Sequence, residues 1–121
     1  MTHAENSIFN GNVITLNAIG IASHTSNGHQ IHANNLTNND LAGMTFVNTD
    51  SSLLYNNSIT GSRNGIYLDP QSSENKVESN NVVMNDIDLN NADGLPLNIN
   101  GNVLQDNKCY VSNPSGSCNI P

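Results

Sequence analysis

The chain has no tryptophan, three tyrosines, two phenylalanines and only three lysine or arginine residues among its 121 positions. Its ten acidic residues leave a formal net charge of −7 at pH 7. Nucleic acids and anionic membrane surfaces bind proteins through clustered positive charge, so we expect neither as a partner. Only 11% of residues are charged, and asparagine takes the place of lysine and glutamate as the main polar residue.

Long hydrophobic runs are also missing. No apolar run approaches the roughly 18 residues of a membrane-spanning helix, so we do not expect membrane insertion. The segment Met1–Asn6 lacks the basic and then apolar regions of a secretory signal. If the protein is exported, we expect this sequence to be a mature fragment with an added methionine.

Helical patterns are absent as well. Apolar and polar residues alternate over a few positions only, and no window of about ten residues shows a helical period. Asn-Gly pairs, which are typical of turns, interrupt the alternation at residues 10–11, 27–28, 64–65 and 100–101. Without helical crossovers, parallel strands must pair by coiling of the chain itself.

The two cysteines, Cys109 and Cys118, flank a stretch that contains Pro114 and Gly116. A turn-rich stretch of this kind can bring two thiols together. We therefore predict a disulfide that closes this end of the chain, with two free thiols as the alternative.

What the sequence does contain is a repeat of the form apolar-x-x-Asn-x-apolar. Its units are 22 or 23 residues apart and begin at Phe9, Ile31, Leu54, Val77 and Ile99. Each unit continues with an apolar-x-apolar motif, which includes Ile21, Met44, Ile66, Ile87 and Cys109. If each unit is one turn of a solenoid, each series forms an interior column with about 4.8 Å between neighbours.

The repeat predicts an all-β, single-stranded, right-handed parallel β-helix of about five coils. We expect one domain over residues 1–121, with repeats in 6–111 and a C-terminal cap in 112–121, as a fragment of a longer β-helix. The repeated asparagines should stack into a structural ladder, because an amide can donate to one coil and accept from another. These are Asn12, Asn34, Asn57, Asn80 and Asn102.

The stretch from Asn64 to Leu68, followed by Ser72 to Asn81, resembles the parallel β-helix repeat family. That family includes pectate-lyase-like proteins, mannuronan epimerases and the β-helix proteins that help mature the copper site of nitrous oxide reductase. The segment from Asn107 to Cys118 is similar to the closing segment of secreted bacterial and archaeal members. The resemblance implies the fold and a secreted, cell-surface or periplasmic location, but no single activity.

An outward-facing grid on the apolar-x-apolar strands is the expected functional surface. It places three carboxylates on neighbouring coils, and such crowding can raise the pKa of one of them for general-acid catalysis. The catalytic candidates are Asp69, Asp86 and Asp88. The substrate-binding candidates beside them are Tyr67, Tyr110, Lys108 and Arg63. The alternative is that the aspartates only keep an exposed sheet soluble.

Two further motifs bear on chemistry. Asp69-Pro70-Gln71 resembles the Asp-Pro-His element of mannuronan epimerases, but Gln71 stands where that family needs a histidine for proton transfer. His24, His29 and His32 lie close in sequence and could hold a transition metal. We expect His32 to point outward and His29 to lie in a turn, so we interpret all three as ordinary histidines and expect no metal site.

The leading hypothesis is a non-catalytic extracellular or periplasmic β-helix module that presents a polar face to polysaccharide or to another protein. The alternative is a fragment of a polysaccharide lyase, glycoside hydrolase or uronate epimerase that uses the acidic cluster. A third possibility is end-to-end homo-oligomerisation through the N-terminal coil, whose edge is open. We expect no cofactor, with Ca²⁺ bound by the carboxylates as the alternative.

Overall fold

Short strands separated by sharp corners make up the protein in a computed structural model, which describes residues 1–92 and 101–121. This part of the chain contains no helix. The strands are β1 (Ile8–Asn10), β2 (Val13–Thr15), β3 (Ile19–Asn27), β4 (Gln30–His32), β5 (Asn35–Thr37), β6 (Ala42–Asp50), β7 (Leu53–Tyr55), β8 (Ser58–Thr60), β9 (Asn64–Leu68), β10 (Lys76–Glu78), β11 (Asn81–Val82), β12 (Ile87–Asn91), β13 (Val103–Gln105) and β14 (Ser112–Asn113).

Strands that are three apart in the chain pair in parallel, and β14 pairs in the same way with β12, which produces three sheets. Sheet I has the order β1-β4-β7-β10-β13, sheet II β2-β5-β8-β11, and sheet III β3-β6-β9-β12-β14. Each step within a sheet is one turn of the chain, so the five strands of sheet I span four full turns. The prediction of an all-β parallel solenoid is confirmed.

Aliphatic columns fill the interior, one behind each sheet. The strand registers align Phe9, Ile31, Leu54, Val77 and Leu104 behind sheet I, Ile14, Leu36, Ile59 and Val82 behind sheet II, and Ile21, Met44, Ile66 and Leu89 behind sheet III. Most of these side chains are fully buried. Burial of each contributes about 1.5–3 kcal/mol, which makes these columns the main stabilising element.

The predicted columns are correct through Val77 behind sheet I and through Ile66 behind sheet III, and they depart from the structure after those residues. Leu104 is the partner of Val77, whereas Ile99 lies outside the described residues. Leu89 pairs with Ile66, and Ile87 pairs with Asn64 instead. A shift of two residues leaves every side chain on the same face, so alternation alone could not choose between Ile87 and Leu89.

Cys109 also departs from its predicted column. Lys108 forms a bridge with Asn81, which puts Cys109 after Val82 in the column behind sheet II. The cause is a longer coil: the rungs Asn80 and Asn107 are 27 residues apart, not the expected 22 or 23.

Each corner of the solenoid begins with one residue in the left-handed αL conformation. Glycine fills some of these positions, with φ of 70° at Gly11 and 77° at Gly61. Leu16 (62°) and Met84 (61°) adopt the same conformation without that freedom. Of the Asn-Gly pairs predicted to be turns, Asn64-Gly65 lies inside β9 instead, where an added Cβ would come within 2.3 Å of Val82.

A polar residue follows most of the αL residues, and residues of this kind that point inward form three ladders along the solenoid. The first ladder, between sheets I and II, is Asn12, Asn34, Asn57, Asn80 and Asn107. The second, before sheet I, is Ser7, His29, Ser52, Asn75 and Asn102. The third, between sheets II and III, contains Asn17, Asn39, Ser62 and Asn85. The asparagine ladder is therefore confirmed for four members, but Asn102 belongs to the second ladder.

The rungs satisfy backbone groups that the corners leave without a strand partner. Asn34 Nδ2 donates to Asn57 Oδ1 at 3.0 Å and to the backbone oxygen of Phe9 at 3.0 Å. The backbone N–H of Asn34 also donates to Asn57 Oδ1, at 3.1 Å. Because buried backbone groups without partners are costly, the ladders make sharp corners compatible with a closed core.

The two ends of the solenoid differ. Residues before the predicted repeat span already pair, since Thr2 bridges His24 and Glu5 bridges Asn27. At the other end, β14 adds a last strand to sheet III, and Cys109 and Cys118 form the predicted disulfide. The C-terminal segment thus closes its end of the core.

Candidate functional site

The outer face of sheet III carries the row in which Tyr67 was predicted. Its register aligns Ala22, Thr45, Tyr67, Asn90 and Asn113. Amides join part of this face, since Asn113 Nδ2 donates to Asn90 Oδ1 at 3.1 Å and Asn90 Nδ2 to Asn64 Oδ1 at 3.0 Å. The predicted grid is correct for Tyr67, but Asp88 and Lys108 do not belong to it.

Asp88 is buried within β12 and is not displayed on the outer face. Its Oδ1 accepts hydrogen bonds from the backbone N–H of Asn85 and from Asn85 Nδ2, both at 3.1 Å. Its Oδ2 accepts from the backbone N–H groups of Tyr110 (2.9 Å) and Val111 (3.1 Å). Asp88 Oδ1 thus accepts both of the bonds that a rung donates to the next rung elsewhere, and Asp88 ends the third ladder.

Asp69 is also buried and bonded at a corner, the one that follows β9. Its Oδ1 accepts from Ser72 Oγ at 2.7 Å and from the backbone N–H of Asn48 at 3.0 Å. Asp69 follows the end of β9, whereas Asp88 lies near the start of β12, beside the first residues of β9.

Asp86, Arg63 and Lys108 are exposed. Asp86 precedes β12, and Lys108 continues the outer face of sheet II beside Asn81. The structure therefore does not gather the three aspartates on one face. In glycosidases the two catalytic carboxylates are about 5–9.5 Å apart. The catalytic role of Asp69, Asp86 and Asp88 stays a prediction.

Tyr110 lies at a groove of about 300 Å³ at the C-terminal end. The groove is lined by Tyr110, Val111, Ser112, Ser115, Gly116, Cys118 and Ile120. Its floor is held by the disulfide and by Ser112 Oγ, which donates to the backbone oxygen of Pro114 and accepts from the N–H of Ser117. The tyrosine ring is 57% exposed at the mouth.

The histidines are separate in their contacts. His24 Nδ1 is bonded to Thr25 Oγ1, and the ring of His32 stacks on Tyr55 with centroids 4.7 Å apart. His29 is a buried rung whose Nδ1 accepts from the N–H of Ser7. Among the described residues no group of three potential metal ligands occurs.

Sequence reasoning missed Tyr55 and the groove. The Tyr55–His32 contact had a detectable signal, because the two residues are 23 positions apart and each follows a column residue. The groove had none, since it depends on how the C-terminal segment folds over the last coil.

Comparison with protein-family models matches residues 1–120 to the family described as the right-handed beta helix region. The chain therefore belongs to the right-handed β-helix family, and the coils have that hand. Curated proteins yield no significant match, and solved structures yield none either.

The disulfide bears on location. Disulfides persist in oxidising environments, so the Cys109–Cys118 bond indicates such a compartment. The described residues contain no helix that is long and apolar enough to cross a membrane.

Proposed function

We propose that the protein is a non-catalytic extracellular or periplasmic module that contacts neutral polysaccharide through its C-terminal groove and the adjoining face of sheet III. The observation that supports this best is the exposed ring of Tyr110 at the mouth of a groove that is already formed. A flat tyrosine ring can pack against the apolar face of a pyranose while neighbouring hydroxyls bond its edges.

Charge favours a neutral ligand over a uronate. The residues that line the groove carry no charged side chain, and the chain as a whole carries −7. Of its three cations, Lys76 is 3.1 Å from Glu78 and so is already paired. An acidic polysaccharide would meet net repulsion that a neutral one avoids.

The aspartates support a module over an enzyme. Asp69 and Asp88 accept hydrogen bonds from backbone N–H groups of neighbouring coils, which gives both carboxylates a structural role. An exposed sheet without deep walls also offers little to exclude water from a reacting bond.

Affinity electrophoresis through gels that contain xylan, glucan, mannan or polygalacturonate tests the binding proposal. We expect a neutral polysaccharide to retard the native chain and Tyr110→Ala to lose that retardation, while Tyr110→Phe keeps it. Retardation by polygalacturonate alone, or by none of the four, would contradict the proposal.

A parallel assay for reducing ends, unsaturated products and epimerised residues tests catalysis. We expect no turnover by the native chain. Turnover that Asp86→Asn abolishes, with an unchanged melting curve, would instead support the enzyme alternative.

A further inference from the structure

The C-terminal groove has two walls, which are attached to the solenoid in different ways. The first wall is formed by Tyr110, Val111 and Ser112. Asp88 Oδ2 accepts hydrogen bonds from the backbone N–H groups of Tyr110 and Val111, and Ser112 begins β14, which pairs with β12. The first wall is therefore part of sheet III and is held without a cross-link.

The second wall of the groove is formed by Ser115, Gly116, Cys118 and Ile120. The N–H of Asn119 donates to the backbone oxygen of Asn107 at 2.8 Å, and its own backbone oxygen accepts from the N–H of Cys109 at 3.3 Å. The N–H of Ser117 donates to Ser112 Oγ at 3.1 Å, which joins the two walls. These are single hydrogen bonds of modest net strength, so the Cys109–Cys118 bond is the strongest attachment of the second wall.

The two sulfur atoms of the disulfide differ in their access to solvent. Cys109 is fully buried, whereas Cys118 is only partly buried and lines the groove. Because thiol–disulfide exchange requires a thiolate to reach a sulfur atom, a reductant attacks Cys118 Sγ from the groove. Cys109 is then the leaving thiol, and its Sγ lies 3.8 Å from the backbone oxygen of Asn107, which can accept a weak hydrogen bond from the new S–H group.

From these features we infer that the Cys109–Cys118 bond is a redox switch that controls ligand binding in the groove. One thiolate of a dithiol reductant attacks Cys118 Sγ, and Cys109 leaves and takes up a proton. The second thiol of the reductant then releases Cys118 as a thiol, so the chain gains two electrons and two protons and the reductant becomes a disulfide. The second wall detaches from the first, and the groove releases its ligand. The inference rests on the proposed function for the identity of that ligand, a neutral polysaccharide.

Such a switch couples binding and reduction in both directions. If the oxidised chain binds the polysaccharide more tightly than the reduced chain, the bound polysaccharide makes the chain harder to reduce by the same factor. A ligand that only shields Cys118 from the reductant would slow the reduction without changing its equilibrium. An equilibrium measurement therefore separates a switch from simple shielding.

Affinity electrophoresis of the native chain, with and without dithiothreitol in the gel, tests this inference with the neutral polysaccharide that retards the oxidised chain. We expect reduction to weaken binding by about tenfold, while circular dichroism shows that the solenoid stays folded. With saturating polysaccharide, the ratio of reduced to oxidised dithiothreitol that reduces half of the chain should rise by the same factor. The matched control is Cys109→Ser/Cys118→Ser, which should bind weakly with or without dithiothreitol.

Equal binding by the oxidised and reduced chains, with both thiols verified by alkylation, would overturn the inference, and so would tight binding by the double variant. If the oxidised chain binds no polysaccharide, the proposed function fails, and hydrogen exchange then tests the switch alone. Reduction should speed exchange of the backbone amides of Ser117 and Asn119, while those of Tyr110 and Val111 stay protected. Unchanged protection of Ser117 and Asn119 would overturn the inference in that case.

Discussion

Replacement of the central rung, Asn57→Ala, should destabilise the fold severely. The change removes two bonds that Asn57 Nδ2 donates, to the backbone oxygen of Ile31 at 2.9 Å and to Asn80 Oδ1 at 3.0 Å. It also removes two bonds that Asn57 Oδ1 accepts, from the backbone N–H and the side chain of Asn34. Asn57 is only 2% exposed, so water cannot replace these partners without opening the corner.

The magnitude follows from these four bonds. Each contributes a net 0.5–1.5 kcal/mol, and leaving a buried partner unsatisfied adds about 1–3 kcal/mol. We therefore expect a loss of about 3–6 kcal/mol in the free energy of unfolding. Domains of this size are stable by about 5–15 kcal/mol, so the variant should be marginally folded or unfolded.

Asn12→Ala is the matched control, because it removes the same side chain from the exposed end of the same ladder. Only its bond to Asn34 Oδ1 is lost, so we expect a cost of at most about 1 kcal/mol. Urea unfolding followed by circular dichroism measures both variants. If Asn57→Ala costs no more than Asn12→Ala, the ladder does not hold the coils together and the reasoning fails.

Three other changes test other parts of the structure. Ile66→Asp places an unpaired charge in the column behind sheet III, so the cooperative thermal transition should disappear; a melt near that of the native chain would contradict the assigned register. Reduction of Cys109–Cys118, which are nine residues apart, should cost about 2–3 kcal/mol and loosen mainly the last coil; uniform loss of amide protection over all coils would argue against this. Burial, and then the positive charge of the chain's N-terminus, lower the pKa of His29 from its ordinary 6.5. The folded state therefore favours neutral His29. The free energy of unfolding has its full value, as far as His29 is concerned, above about pH 6.5 and falls as the pH drops below that value. His29→Asn should flatten this pH dependence of the melting temperature, and an unchanged slope would assign it to another group.

The sequence predicted the solenoid because its signal is repeated and local. Alternation of apolar residues marks each strand, and a spacing of 22 or 23 residues aligned Ile31 with Leu54 and Met44 with Ile66. The first error departed from this spacing, because Leu89 and not Ile87 lies 23 residues after Ile66. The later error, at Cys109, follows the longer coil that ends at Asn107. With only five copies of the repeat, the sequence does not show which residues of a longer coil are the extra ones.

The second and third ladders were harder to predict because their rungs differ chemically. Histidine, serine and asparagine all occupy the second ladder, at His29, Ser52 and Asn75, since each can bond a backbone N–H. Asp69 and Asp88 were expected on the surface for a related reason. Alternation describes strands only, and Asp69 follows the end of β9. Alternation places Asp88 on the outward side of its strand, but its carboxylate accepts from backbone N–H groups that lie before β12 and before β14.

Hydrogen exchange of the asparagine side-chain amides tests the central claim, that buried amide ladders join the coils, most directly. In D₂O, heteronuclear NMR spectra should retain the Nδ2 signals of the buried rungs Asn34, Asn57, Asn80 and Asn107 long after those of exposed asparagines such as Asn10 and Asn35 have disappeared. Asn75 should be retained with them, as a member of the second ladder. Equally fast exchange of all asparagine side chains would show that the rungs are open to water and would contradict the ladders.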